Sequence, residues 1–351
     1  MPENIDISAI CIDLGIDALG VVPAEPTLSF EIYKQVIARG VPPQLDYLAR
    51  NADCRRDFEA ILPGTQSVIC CACALPVFRA ETALRFARFC AVGDYHLMMR
   101  EKLQKLDAHL RAHFPITQSR ICVDSAPVLE RELAVRAGFG DIGFNRMLIH
   151  PELGSFIVLA ELLVDADLSP FRDRLSHRAR EASADITPGA RNCCTSGHRC
   201  CVRACPVGAL TEGGYDMNRC LAYWTTQHKG DIPEPYATAM GDMIWGCDRC
   251  QAACPRNQRV SAISHEAHSP LSDLTFEEIL SLSARQLRKR LANTPLADGN
   301  PHLLVRNTCI AIGNARNSKY AVLLGNIAEA HPCDWVRRAA VRALNMIGDH
   351  S

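Results

Sequence analysis

Apolar residues fall along this chain in two rhythms. Short unbroken runs of strand length alternate with longer stretches whose apolar positions recur at helical spacing. Residues 5–22 predict a helix leading into a short strand, Ala18–Val22, which Pro23 and Pro26 end. Residues 29–50 predict a helix interrupted near Gly40-Val41-Pro42-Pro43. After a Leu62-Pro63-Gly64 turn, Ser67–Leu75 is a continuous apolar run bounded by turns, the pattern of a buried strand. Residues 97–113 place Leu97, Met98, Leu103, Leu106 and Leu110 at helical spacing with charges between them, and Arg120–Val123 reads as a short strand. Pro127 suits the first turn of a helix capped by Asp124 or Ser125, running to about Ala137 and stopped by Gly138. Gly140-Asp141-Ile142-Gly143 reads as a turn. Met147–Ile149 and Phe156–Leu163 read as the strands of a hairpin joined by Pro151-Glu152-Leu153-Gly154. Strands and helices thus mix through residue 165, which predicts an α+β or α/β catalytic domain.

Beyond that point the pattern changes. Residues 166–192 are polar and charged, and read as a linker or surface excursion. Thr275-Phe-Glu-Glu278 and Ser283-Ala-Arg-Gln286 are capping boxes, so a helix starts at each. Val305–Asn314 then matches Val336–Asn345 at an offset of 31, each copy apolar along one helical face. This predicts paired helices of the HEAT type, shorter than the usual period. Arg337, Arg338 and Arg342 on the second copy, with Arg306 and Arg316 on or near the first, form either a solvated charged face or a phosphate-contacting surface.

Composition adds limits. A length of 351 residues allows two or three domains with a sizeable core. A net charge of −1 with 22% charged residues gives no global basic excess, so a nucleic acid would have to meet a local patch. The N-terminus lacks a basic start and a long apolar run, and no stretch is apolar enough to span a membrane, so a cytoplasmic protein without membrane contact is expected. Eighteen cysteines in such a chain argue for metal work in a reducing compartment, not for disulfides. Cys70, Cys71 and Cys73 sit in apolar sequence and read as core.

Nine of the eighteen cysteines lie between residues 193 and 254. Cys201-Val-Arg-Ala-Cys205-Pro206 and Cys250-Gln-Ala-Ala-Cys254-Pro255 both end as Cys-x3-Cys-Pro, the tail of the bacterial ferredoxin pattern. Thiolates are the soft anionic ligands that iron–sulfur clusters need, and the doubled ending predicts two [4Fe–4S] clusters. A structural zinc site, or cysteines acting as small apolar groups, is the plainer alternative. In two-cluster ferredoxins the cysteine before proline ligates the other cluster. Cys205 would then join Cys247, Cys250 and, as the nearest fourth candidate, Cys220. Cys254 would cross back to the first cluster. That first run is irregular. Ferredoxin spacing counted back from Cys205 falls on Cys201, His198 and Thr195, while the chain offers Cys193, Cys194 and Cys200. Either a short insertion lets Cys194 and Cys200 serve with Cys201 and Cys254, the favoured set, or His198 is a ligand.

The chain resembles the epoxyqueuosine reductase family, cobalamin-dependent enzymes of the queuosine pathway. The resemblance runs nearly end to end. It rests on Leu45-Asp-Tyr-Leu48, Leu62-Pro-Gly-Thr-Gln-Ser-Val68, Gly93-Asp-Tyr-His96, Val123-Asp-Ser-Ala-Pro-Val-Leu-Glu-Arg131, Ala137-Gly-Phe-Gly-Asp-Ile-Gly-Phe-Asn145 and His150-Pro-Glu-Leu-Gly-Ser155. Arg219-Cys-Leu-Ala-Tyr-Trp-Thr225, Ile232-Pro-Glu234 and Gly246-Cys-Asp-Arg-Cys-Gln251 complete it. It implies an α+β multidomain protein. Residues 1–165 would be an α/β cobalamin-binding catalytic domain, 166–191 a linker, 192–262 a ferredoxin-like domain with two [4Fe–4S] clusters, and 263–351 a HEAT-like helical domain. The implied reaction is two-electron removal of the epoxide oxygen of epoxyqueuosine at the tRNA wobble position. The implied partners are the anticodon region of tRNA and an external low-potential electron donor. The family's general acid maps onto Asp124, whose pKa would have to be raised for it to hold a proton near neutrality. Tyr95 and His96 would line the cofactor or substrate. The chain departs from the family at Asp141 and Phe144, where tryptophan and lysine are usual, and at Arg256, where tryptophan is usual. A corrinoid reductase acting on a small molecule, or a non-catalytic electron carrier, are the alternatives.

Overall fold

The computed structural model of the chain describes residues 5–77, 84–178, 194, 199–211, 214–258 and 269–348. Cys193, Thr195 and His198 lie outside these residues. The chain divides into two units. One holds Met1–Leu75, Tyr95–Cys201 and Ala253–Ile263, and the other Pro76–Asp94, Val202–Ala252 and Ser264–Ser351.

The first unit is built on four strands: β1 (Ala18–Pro23), β2 (Ser67–Ala74), β3 (Ser119–Cys122) and β4 (Ile157–Val164). They form one sheet in the order β1-β2-β4-β3, and every pairing is antiparallel. Among the described residues this unit is therefore α+β, its main sheet without the parallel pairing that an α/β domain requires. β2 and β4 are the central strands, which explains why both are apolar along nearly their whole length, Glu161 of β4 excepted. Val68, Cys70 and Ala72 of β2 pack with Leu133 and Ala134, while Ile69 and Cys71, on the other face, are also buried. Cys70, Cys71 and Cys73 are core residues here.

Three helices serve this sheet: α1 (Ile7–Leu14), α2 (Tyr95–Arg111) and α3 (Glu130–Arg136). α2 buries Met99, Leu103, Leu106 and Leu110 and packs against β3 and β4. α3 begins three residues later than Pro127 suggests, its N-cap is Leu129, and no side chain caps it. Neither Asp124 nor Ser125 is a helix cap. The expected hairpin is also absent. Leu148–Ile149 pairs with Asp141–Ile142, and Ile157–Val164 goes to the centre of the main sheet. Gly140 permits the short pairing. Its φ is +132°, and a Cβ there would stand 2.2 Å from the carbonyl oxygen of Ile149.

In the second unit, α4 (Pro301–Asn314), α5 (Ala321–Ala330) and α6 (Asp334–Gly348) pack together, with α4 against α6 and α5 against α6. The repeated segments are thus α4 and α6. Gly313 lies so close to Ala343 that an added Cβ would stand 2.7 Å from the Ala343 Cα. Both capping boxes form, at Thr275 and at Ser283.

Arg306, Arg337, Arg338 and Arg342 of the repeat are occupied within the unit. Arg306 is fully buried, and its guanidinium donates to the carbonyls of Trp224, His228 and Gly230. Its place on the apolar helix face turns it inward, away from the surface where a phosphate would lie. Arg338 grips Asp231 through two nitrogens, Arg342 pairs with Glu234, and Arg337 with Asp334. Among the described residues no helix is long and apolar enough to cross a membrane.

Candidate functional site

Asp124 follows β3 and stands in an unusual backbone state. Its φ is +56°, and the Ser125 N–H donates back to the Val123 carbonyl, closing a three-residue turn. A γ-turn with positive φ is the rare, strained kind, and a non-glycine residue in such a region costs about 1–3 kcal/mol. Strain of this kind persists only where neighbours hold it, and here they do. The Asp124 N–H donates to Glu130 Oε1 at 2.8 Å. The Tyr95 hydroxyl donates to Asp124 Oδ2 at 2.7 Å, and His96 Nε2 stands 3.6 Å from the same oxygen. Tyr95 and His96 open α2, with their rings stacked at a centroid distance of 4.0 Å. The three residues named from the sequence are therefore one cluster.

The Asp124 side chain is 59% exposed. His96 is the first cause that holds its carboxyl below the ordinary carboxylate range; burial opposes this, and the Tyr95 hydroxyl reinforces it. At 3.6 Å His96 acts more as a charge partner than as a hydrogen-bond donor. This corrects the expectation of a raised pKa: Asp124 is a carboxylate at rest.

The groups whose pKa is raised are Glu130 and Glu161. Glu130 is pushed up to about 7, by burial first and by the Asp124 charge second. Glu161, at the centre of β4 opposite Cys70 of β2 and Cys122 of β3, is 1% exposed. Among the described residues its Oε2 has no hydrogen-bond partner. Burial and then Glu130 push it well above the carboxylate range. Tyr47 feels the same charge: burial and then Asp124 raise its hydroxyl pKa. Sequence reading missed Glu130, Glu161 and Tyr47 as site residues, although Tyr47 and Glu130 lie within motifs it singled out. A lone glutamate in an apolar strand was the signal for Glu161. A cleft of about 400 Å³ opens beside the loop, lined by Arg100, Ser119, Arg120 and Ser125 among others.

The candidate ligand cysteines separate by unit. Cys194, Cys200, Cys201 and Cys254 belong to the first, and Cys205, Cys220, Cys247 and Cys250 to the second. These are the two sets that the crossed ferredoxin pattern predicts. The Cys194 sulfur accepts the Phe144 N–H at 3.4 Å, and the Cys205 sulfur accepts the Ala209 N–H at 3.2 Å. Hydrogen bonds to sulfur suit cluster ligands, because they stabilise thiolate charge and set the potential. Burial pushes the Cys247 thiol up, and the neighbouring Cys220 acts in the same direction, so Cys220 is at hand for the second set. Arg199 stacks its guanidinium over the Phe144 ring at 3.9 Å.

Another group, His302, His331 and Cys333, has ligand atoms within 4.8 Å of one another. The Cys333 N–H donates to His331 Nδ1, which leaves the proton of the neutral ring on Nε2, 3.3 Å from His302 Nδ1. The two rings are placed to share that proton, and this tautomer opposes metal binding through Nε2.

Known proteins resemble this chain along its length. A family described as "4Fe-4S double cluster binding domain" matches residues 193–257, and one described as "Epoxyqueuosine reductase QueG, DUF1730" matches residues 55–125. The epoxyqueuosine reductase of Bacillus cereus is 30% identical over 361 aligned positions, covering 98% of this chain and 88% of the relative. That of Escherichia coli K12 is 31% identical over 344, covering 90% and 84%. A crystal structure of epoxyqueuosine reductase with an epoxyqueuosine-modified tRNA-Tyr stem loop shares the fold at a TM-score of 0.78 and 24% identity, covering 98% of this chain and 89% of that one. The Streptococcus thermophilus epoxyqueuosine reductase does so at 0.79 and 23%, covering 99% and 91%.

Proposed function

The chain belongs to the epoxyqueuosine reductase family, and from that premise we propose that it removes the epoxide oxygen of epoxyqueuosine at the wobble position of tRNA. The observation that carries the proposal is the exposed Asp124 carboxylate, held in a strained turn and met by Tyr95 and His96.

The reaction breaks both epoxide carbon–oxygen bonds, forms a carbon–carbon double bond and releases water, so it consumes two electrons and two protons. A double-cluster domain passes electrons singly, and two clusters match a two-electron step. Cys194, Cys200, Cys201 and Cys254 are proposed as ligands of one cluster, and Cys205, Cys220, Cys247 and Cys250 of the other. The electrons come from an external low-potential donor. Cobalamin, when bound, supplies low-valent cobalt capable of reducing the epoxide carbon. The residues present suit a flat macrocycle: the stacked rings of Tyr95 and His96 stand beside a carboxylate open to solvent.

The chain's own part is proton delivery. Asp124 is ionised at rest, so it first takes a proton, from His96 or from solvent, and then passes it to the departing oxygen. Excluding water when substrate covers the loop raises its pKa in the direction this needs. The helices α4–α6 are read as a HEAT-like unit that helps hold tRNA. Because Arg306 is buried and Arg337, Arg338 and Arg342 have acidic partners, charge reversal there would break structure as well as any phosphate contact. The cleaner test is Asp124→Asn in an anaerobic assay with an epoxyqueuosine stem loop. Loss of turnover with stem-loop binding retained supports the role. A reductase of small molecules would bind no stem loop.

A further inference from the structure

We infer that Glu130 is the positioning residue of the site: its carboxylate holds the backbone of Asp124 in the turn from which the Asp124 side chain acts. The inference rests on the proposed role of Asp124 and deepens it. The Asp124 N–H, at the strained residue itself, donates to Glu130 Oε1 at 2.8 Å across six positions of sequence. Glu130 is the first residue of α3, and α3 packs against β1, β2 and β4. The acceptor is thus carried by a fixed element, while the donor sits in a turn that no helix continues. Without the acceptor, a residue with φ +56° has a nearby unstrained alternative at negative φ, and Oδ2 leaves Tyr95 and His96. Only an acceptor can do this work, and a carboxylate does it better than a neutral group because the bond is charge-assisted.

The charge state of Glu130 therefore sets the strength of the hold. The groups facing it are Asp124 and His96 in the site, Arg131 on its own helix, Glu161 on β4, and the thiols of Cys70 on β2 and Cys122 on β3. As pH rises through neutrality Glu130 ionises, the bond to Asp124 tightens, and the acid is better placed.

The experiment uses anaerobically reconstituted full-length protein carrying Glu130→Ala, Glu130→Gln, Asp124→Asn, and Asp124→Asn with Glu130→Ala. Amide hydrogen exchange is followed in the peptide around residues 123–128, alongside single-turnover reduction of an epoxyqueuosine stem loop. Losing a hydrogen bond to a charged acceptor predicts that Glu130→Ala slows turnover by about ten- to a hundredfold. Stem-loop affinity and iron content should not change. Glu130→Gln, which keeps an acceptor oxygen, restores most of the rate and flattens the rise of activity through pH 7. In the Asp124→Asn background, Glu130→Ala has no further effect. Exchange at 123–128 accelerates in Glu130→Ala and recovers in Glu130→Gln. The inference is overturned if exchange in Glu130→Ala matches the parent, if Glu130→Gln is as slow as Glu130→Ala, or if the two substitutions multiply. Should the parent fail to reduce the stem loop, the proposed function fails, while the exchange comparison still decides whether Glu130 holds the turn.

Discussion

At the scale of the residue, the site is a small set of carboxyl groups driven apart in acidity by their surroundings. Asp124 is held below the ordinary range by His96, while Glu130 is lifted from 4.5 to about 7 by burial and by the Asp124 charge. A consequence for stability follows. Between about pH 4.5 and 7 the folded protein keeps a proton on Glu130 that the unfolded chain has released, so this group's contribution to stability falls as pH rises through that window. The melting temperature of the parent minus that of Glu130→Gln should therefore decrease from pH 5 to pH 7. A flat difference would show that Glu130 titrates normally. Asp124 itself was legible in the sequence, but its backbone state was not. Asp-Ser-Ala-Pro reads as a helix cap, while the γ-turn that forms instead is held by partners from elsewhere in the fold, Glu130 on the Asp124 N–H and Tyr95 and His96 on its carboxylate.

At the scale of the element, sequence periodicity was reliable where one element buries one face. The helix over Tyr95–Arg111, the strand over Ser67–Ala74 and both capping boxes form as their patterns require. It failed for β4, because a largely apolar run does not say which strand it will pair with. It failed again for Arg306, whose charge suggested surface although its helical position points inward, where three carbonyls receive it. The α4–α6 contact gives a direct prediction. Gly313→Leu places a side chain where 2.7 Å separates a Cβ from the Ala343 Cα, and overpacking of this kind costs about 1–3 kcal/mol. Chemical denaturation should show that loss with cluster content unchanged. A variant as stable as the parent would mean that the repeat helices are less tightly seated. Removing the Thr275 cap with Thr275→Ala should cost about 1 kcal/mol in the same assay.

At the scale of the molecule, the division of eight cysteines between two units matches the crossed pattern of a double-cluster ferredoxin. The second set has the regular spacing, with Cys220 as its nearest fourth candidate. The irregular first run left Cys193, Cys194, His198 and Cys200 open, and Cys193 and His198 fall outside the described residues. Reconstituted protein should carry about eight irons and one corrinoid per chain, the content of two [4Fe–4S] clusters beside one cofactor. Cys220→Ala should lower iron by about half, whereas a full complement would remove Cys220 from the ligand set. Eight irons without corrinoid would leave an electron carrier. The most direct measurement is mass spectrometry of an epoxyqueuosine-modified anticodon stem loop, incubated anaerobically with cobalamin, a low-potential reductant and either the parent protein or Asp124→Asn. The account predicts that the parent removes the mass of one oxygen atom and that Asp124→Asn binds the stem loop but leaves it unchanged. A stem loop that keeps its oxygen with the parent, or loses it equally fast with Asp124→Asn, would contradict it.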